Sequence, residues 1–360
     1  MDARRKLVSR VLDSGLSVAA AAREAGVSRQ TVHLWLGRAR AEGVAQMQEY
    51  SRRPHQSPSR CSEAVVDAVH EMAQRYPSWG PAKLHALLWP AGTAPVSERT
   101  VARILARAGR RILPARAPAP EPMRFERSMP NELWQTDFKR AGHRRGRHDA
   151  LTVIDDAARF CIALRVVPDQ TLNSVWGVLW SAFGEFGMPE AVLSDNGPAF
   201  RNNATWRWSS FDLRLMLLGI RPLHGKPYHP QTQGKVERLH GTIERELRFE
   251  PESNVQELLE QFRNTYNWTR PHQALDQRTP GSLYQPSNRR RPAHMPEPFF
   301  PDGALIRKCQ DTGIFSYGGT RYKLGRAFEG LPIGLLSDSD GGLNLAWGEF
   351  VLGPAADLKV

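Results

Sequence analysis

Three short β-rich runs, ELWQTDFKR (132–140), HDALTVID (148–155) and FCIALRVV (160–167), are separated by turn residues and followed by alternating helical and strand-like segments. That order excludes an all-helical or an all-β fold for the middle of the chain. An antiparallel meander that passes into helix–strand alternation specifies a mixed sheet with helices on its faces. The pattern predicts a helix over 172–187, an apolar strand in EAVLSD (190–195) and a helix near 204–217. A short strand around 219–223, a helix after Pro230 and a helix over 253–268 complete it.

The regions on either side have different periods. In residues 4–42, Leu7, Val11 and Leu12 mark one helical face. SVAAAAREAGVSRQTVHLWLGRAR (17–40) then reads as two helices about a tight turn. Ser17 and Ser28 suit helix N-caps, and Gly26 suits the left-handed residue between them. Ala21, Ala22, Val27, Val32 and Leu36 form the shared core of a helix-turn-helix. Arg29, Gln30 and His33 then lie at the exposed start of a recognition helix, where base contacts arise. An ordinary three-helix bundle is the plainer reading. Residues 62–76, GPAKLHALLW (80–89) and SERTVARILARAGR (97–110) give a second, weaker helix-turn-helix pattern, with Ser97 as a cap. Two stretches rich in Pro, Ala or Ser and Arg separate these pieces. From about 300, short β-rich runs broken by Gly and Asp indicate a small barrel or sandwich. The expected domains are 1–50 and 62–112 (helical), 131–288 (α/β) and 298–360 (all-β), with linkers at 51–61 and 113–130.

The formal net charge is +12. Residues 1–128 hold 21 Lys+Arg against 11 Asp+Glu, so the excess sits at the N-terminal end. Such a basic region attracts a polyanion, most commonly nucleic acid. The three cysteines, Cys61, Cys161 and Cys309, are scattered and give neither a disulfide framework nor a zinc signature. No run of about 18 apolar residues and no signal-peptide core is present, so neither membrane spanning nor export is expected.

Hydrolysis or transfer of a phosphodiester needs an activated oxygen nucleophile and a stabilised leaving oxygen. Two divalent ions held by converging carboxylates supply both. Asp137 lies in WQTDFK, inside a strand, where an unpaired charge is costly. Asp195 ends the strand AVLSD, at the edge where sites on open sheets lie. Glu237 falls seven residues after Pro230, about two turns into the expected helix. Taken singly, each reads as turn chemistry or a solvated charge. Asp155 and Asp156 look like a better pair, but adjacent strand residues face opposite ways, so they mark the hairpin turn. Glu244 and Glu246 read as surface charges. Lys226, Lys235 and Arg238 are candidates to meet phosphates, with solvated charge as the plainer reading. His229, Asn196 and Gln233 are further candidates to line the site.

WQTDFK, LSDNGPAF and HPQTQGKVERLHGTIE, in that order, resemble the DDE transposases of bacterial insertion sequences, which share the retroviral-integrase-type catalytic core. YNWTRPHQALDQRTPGSLY (266–284) is similar to the segment that closes this core, and the likeness covers roughly 125–286. The resemblance implies a multidomain protein with an N-terminal helix-turn-helix region, a ribonuclease-H-like α/β core with a mixed sheet and a small C-terminal all-β domain. It implies Asp137, Asp195 and Glu237 as ligands of two Mg²⁺ or Mn²⁺ ions with DNA bound, and cleavage at transposon ends followed by transfer of the 3′-OH into target DNA. Partners would be the terminal inverted repeats, the target DNA and at least a second copy of the chain, in the bacterial cytoplasm on the nucleoid. Two departures stand out. The 42 positions between Asp195 and Glu237 suggest an insertion, NNATWRWSSFD (202–212), expected to loop out. The His/Cys pattern of retroviral integrases is missing, so no zinc is expected. A catalytically silent DNA-binding regulator and a nuclease without strand transfer are the alternatives.

Overall fold

The computed structural model describes residues 2–46, 61–90, 95–110, 126–143, 146–201, 208–225, 234–338 and 342–360. The expected linkers fall outside these residues over 51–60 and 113–125, as do Lys226, His229, Pro230 and Gln233. The chain divides into two compact units, Met1–Cys61 and Ser62–Val360.

The first unit is helical: α1 (Asp2–Asp13), α2 (Val18–Ala25) and α3 (Arg29–Glu42). Ser17 accepts the Ala20 N–H, Ser28 accepts the Thr31 N–H, and Gly26 turns the chain at φ 63°. Cap and turn chemistry therefore set the helix boundaries. Val8, Ala21, Ala22, Val32 and Leu36 are buried together. The expected α1 face needs one correction. Leu12 is 37% exposed and Val8 takes its place in the core, because Leu12 lies about 140° around the helix from Leu7.

The second unit opens with α4 (Glu63–Arg75), α5 (Pro81–Leu88) and α6 (Glu98–Arg107). Val69, Leu84, Val101, Ile104 and Leu105 are buried. Ser97 caps α6 through the Thr100 N–H, and Arg110 donates to the Ala73 and Tyr76 carbonyls, tying the end of α6 back to α4.

The sheet follows, from β1 (Trp134–Ala141), β2 (His148–Asp155) and β3 (Cys161–Val167), then α7 (Leu172–Phe186), β4 (Ala191–Ser194), α8 (Ser210–Leu217) and β5 (Arg221–His224). Helices α9 (Gly234–Glu246) and α10 (Val255–Trp268) complete it. Strand order is β3-β2-β1-β4-β5, antiparallel across β1–β3 and parallel from β1 to β4 and β5. This is the ribonuclease-H-like core with its mixed sheet. Residue alternation sorts the two faces. Trp134, Leu151, Val153 and Val192 pack with Phe183 of α7 and Phe211 of α8. Ala150 and Ile154 pack with Val236 and Leu239 of α9 and Leu259 and Phe262 of α10.

The segment after α10 locks this core with polar side chains. The Asn267 amide bonds both the N–H and the C=O of Cys161, at 2.8 and 2.9 Å, where the β2–β3 register shifts. β3 is the edge strand of the sheet, so Asn267 satisfies backbone groups that no further strand would pair. Tyr284 and Trp134 both donate to the Asn131 Oδ1. His272 is buried against the Tyr266 ring. Burial, then the Arg270 guanidinium, pushes its pKa down to about 3. A histidine that titrates near 6.5 unfolded and near 3 folded contributes stability above pH 6.5 and loses it as pH falls toward 3, at about 1.4 kcal/mol per unit. His272→Gln should therefore flatten the fall in thermal midpoint between pH 7 and pH 4; an unchanged slope would show that the ring does not set it.

The C-terminal strands are β6 (Leu305–Lys308), β7 (Ile314–Tyr317), β8 (Thr320–Lys323), β9 (Pro332–Ser337), β10 (Leu343–Trp347) and β11 (Phe350–Pro354). They form a four-stranded antiparallel sheet, β11-β10-β9-β6, and a separate β7–β8 hairpin. Their core is not self-contained. Leu213 and Met216 of α8 are buried among Phe328, Leu335 and Trp347, and Trp347 donates to the Leu213 carbonyl at 3.0 Å. The expectation that 202–212 loops out is corrected in its second half; residues 202–207 lie outside the described residues. Ser209 and Asp212 form a buried capping box for α8, and Trp208 packs edge-on to Phe328.

Candidate active site

The β1–β4 pairing brings the first two acids level. Gln135 is in register with Leu193, so two residues further along each parallel strand stand Asp137 and Asp195. Neighbouring strands lie about 4.8 Å apart. Alternation puts Asp137 on the same face as Gln135, Lys139 and Ala141, and Ala141 packs in the α9–α10 core. Helix α9 crosses that face and presents residues at helical spacing toward β1. Lys139 pairs with Glu244, and one turn and two turns earlier come His240 and Glu237. Glu237 reaches the site from the first described turn of α9; Pro230, from which its depth in the helix was counted, lies outside the described residues.

The three acids act on each other. Asp137 is buried enough that desolvation lifts its pKa to about 6, with Asp195 and then Glu237 adding repulsion. The Phe138 N–H, 2.8 Å from its Oδ1, and Lys139 oppose the rise only in part. Asp195 is held by the Gly197 N–H at 3.0 Å, and a Cβ at Gly197 would lie 3.0 Å from that same oxygen. A side chain at this position would press on the carboxylate and shift it by a few tenths of an ångström. Among the described residues, no three His, Cys, Asp or Glu side chains are drawn tightly enough to ring an ion as they stand. The donor set nonetheless suits a hard divalent cation: oxygen ligands only, with negative charge accumulated beyond what the nearby lysine offsets.

Two histidines around the acids, His240 and His224, were not singled out in the sequence, whereas Asn196 was. His240 places Nδ1 3.8 Å from the Asp137 Oδ2 and Nε2 3.0 Å from the Thr152 hydroxyl. Burial, then Lys139, depresses its pKa to about 4, so it stands neutral beside Asp137. Its spacing, three residues after Glu237 in VERLH, was the available signal. Behind Asp195, His224 bridges Asp212 at 2.8 Å and Ser194 at 3.1 Å. A carboxylate only accepts, so His224 Nε2–H donates to Asp212, while Nδ1 shares a hydrogen bond with the Ser194 hydroxyl. Asn196 donates to the Gly225 carbonyl and accepts from Arg201, bracing the ends of β4 and β5.

Asp155 and Asp156 divide as alternation requires, but only Asp155 acts purely as turn chemistry. It accepts the Asn131 and Ala158 N–H groups, both at 2.7 Å. Asp156, 1% exposed, accepts from the Arg127 N–H, from Gln135 and from the Lys235 ammonium. This corrects the reading of Lys235 as a free phosphate contact: the ammonium is drawn inward to a buried carboxylate. Glu246 is likewise no surface charge, since it pairs with Arg270 at 3.0 Å and both side chains are largely buried. Arg238 is exposed on α9. Arg29, Gln30 and His33 are all exposed on the first turn of α3, within the first unit.

The sheet order and the level pair of acids are the arrangement that the resemblance to integrase-type cores implies. Family comparison agrees: residues 127–230 and 218–280 match models described as "Integrase core domain", and residues 31–105 match a "Homeodomain-like domain". Residues 127–280 are thus similar to integrase core domains and residues 31–105 to homeodomain-like domains, and insertion-element proteins are among the similar proteins. A 39.2 kDa protein of insertion element IS476 of Xanthomonas euvesicatoria is 26% identical over 80% of this chain and 83% of its own length. A 31.7 kDa protein of IS407 of Burkholderia multivorans is 26% identical over 63% of this chain and 82% of its own. A simian T-cell lymphotropic virus intasome chain superposes with a TM-score of 0.39 at 19% identity, over 79% of this chain and 98% of that one. That superposition is too loose to assign any residue a role. No helix among the described residues is long and apolar enough to cross a membrane.

Proposed function

We propose that this protein is a DNA transposase that cleaves at the ends of an insertion sequence and transfers the exposed 3′-OH into target DNA. The observation that carries the reading is the repulsion of Asp137 by Asp195 and Glu237, three acids distant in sequence gathered on one face of the sheet. Asp137, Asp195 and Glu237 would hold Mg²⁺ or Mn²⁺, two ions with DNA bound, which would activate the attacking oxygen and stabilise the leaving one. The remaining work falls to the chain's own residues. Gly197 and the Phe138 N–H fix the two aspartates, and neutral His240, anchored on Thr152, closes the sheet side of Asp137.

In cleavage, the water oxygen bonds to phosphorus and the P–O3′ bond breaks, leaving a 3′-OH. In transfer, that hydroxyl oxygen bonds to a target phosphorus, and the target's own 3′ oxygen leaves. No protein–DNA bond forms at either stage. Arg29, Gln30 and His33 would read the terminal repeats, Arg238 would meet phosphate, and two ends would be held by a dimer or larger assembly. The domain limits 1–50, 62–112, 131–288 and 298–360, and a bacterial cytoplasmic, nucleoid-associated site, belong to the same proposal.

The test is a strand-transfer assay with Mg²⁺ and a labelled duplex carrying the repeats that flank the gene. Joined product is expected from the wild type. DNA binding without cleavage would favour a silent regulator, and cleavage without joining a simple nuclease.

A further inference from the structure

A cleft of about 610 Å³ runs along α9 on the far side of Glu237, walled by α5, α9 and the chain after α10. Six lysine and arginine side chains line it against a single carboxylate, Glu237. Three of the cations are matched by carboxylates: Arg159 by Glu126, Lys235 by Asp156 and Arg270 by Glu246. Among the described residues, Lys83, Arg238 and Arg245 have no carboxylate at ion-pair distance. Lys83 comes from α5, well before the sheet in sequence. It is half-buried, and its pKa is lowered by that burial, then by Arg270, with Glu246 opposing and Arg245 adding to the repulsion. The cleft thus concentrates positive charge that the protein itself leaves unbalanced.

The geometry points to this cleft as a site for the phosphate backbone of DNA, through Lys83, Arg238 and Arg245, on the strand that leaves the three acids past Glu237. This rests on the transposase reading and deepens it. Arg238 and Arg245 are seven residues apart on one face of α9, roughly 10.5 Å along the helix axis. That span is about three nucleotide steps of one duplex strand. Between them, Gly241 forms part of the cleft wall. A Cβ there would meet only the Arg245 guanidinium, at 3.4 Å, so packing does not demand glycine. A glycine inside a helix weakens it relative to alanine, and close approach of another backbone is a standard reason to keep one. Here the approaching backbone would be a phosphodiester. A second cleft of about 720 Å³ shares Arg245 and adds Arg75 and Arg248, but Glu244 and Glu246 line it too, so the unbalanced charge belongs to the first cleft.

The full-length chain is titrated with a labelled duplex of arbitrary sequence over a series of NaCl concentrations. Each phosphate contact adds about 0.9 to the slope of log K against log salt. Lys83→Gln and Arg245→Gln should each lower the slope by about 0.9, and the double variant by about twice that. Arg238→Gln should behave like either single variant. Lys83→Arg, which keeps the charge, should keep the slope, and Arg321→Gln on the exposed C-terminal hairpin should not change it. Thermal midpoints report whether each variant is folded. Slopes equal to wild type in folded Lys83→Gln, Arg238→Gln and Arg245→Gln overturn the site. Unchanged slopes alongside normal joining remove this site and leave the transposase reading standing. Lowered slopes in a protein that never joins DNA do the reverse.

Discussion

Asp137→Asn is expected to abolish cleavage and joining, on the order of 10³-fold or more, in a protein that folds as well as the wild type. The magnitude follows from what one preorganised electrostatic group contributes at a phosphoryl or acyl centre. Retained folding follows from the local structure. Asparagine keeps the shape, and its Oδ1 can still accept the Phe138 N–H. The native carboxylate is held against burial and against Asp195 and Glu237, so removing its charge relieves repulsion. The thermal midpoint should hold or rise. Asp195→Asn and Glu237→Gln should cost similar factors. The three should not multiply, because ligands acting as one unit lose nearly everything at the first substitution. Joining by Asp137→Asn within tenfold of wild type, in the assay described above, would remove Asp137 from the site.

The opposite outcome is expected at Asp156. Asp156→Ala should destabilise the second unit by about 3–5 kcal/mol, the usual consequence of stripping one partner from a buried ion pair. Three donors lose their acceptor at once: the Arg127 N–H, the Gln135 amide and the Lys235 ammonium. Lys235 is the costliest, since its side chain is only 14% exposed and burial already lowers its pKa more than the bond to Asp156 restores. The main thermal transition should fall by on the order of 10 °C. Pairing the substitution with Lys235→Met should recover a large part, because an apolar chain of similar length needs no counter-charge. A double variant no better than Asp156→Ala would mean that the ion pair is not the source of the loss.

These two carboxylates show how far the sequence could be read. From spacing alone, Asp156 beside Asp155 was the more conspicuous acid and Asp137 the less. What separated them was which face of β1 and β2 each side chain points to and what α9 brings against that face. Strand alternation predicted that Asp155 and Asp156 diverge, and they do. It carried no information that Lys235 would lie over Asp156, because that depends on where α9 begins and how it crosses the sheet. The same gap explains Glu246, whose partner Arg270 lies 24 positions away.

Local chemistry was legible wherever a few neighbouring residues decide the outcome. Ser17, Ser28 and Ser97 cap helices, Gly26 turns left-handed, and the three-strand meander with its helix–strand sequel follows from hydrophobic period and turn residues. By itself, then, the sequence determined the helical N-terminal region, the mixed sheet and the positions of Asp137, Asp195 and Glu237 relative to strand ends and a helix start. Only the tertiary structure decided what those acids experience. The β1–β4 register sets Asp137 level with Asp195, α9 brings Glu237 toward them, and burial makes Asp137 feel both as repulsion. It also decided that Leu213 and Met216 complete the C-terminal core. Periodicity and capping act over a few residues and are written locally, whereas register, helix crossing and burial join segments tens of residues apart and arise only when the sheet closes.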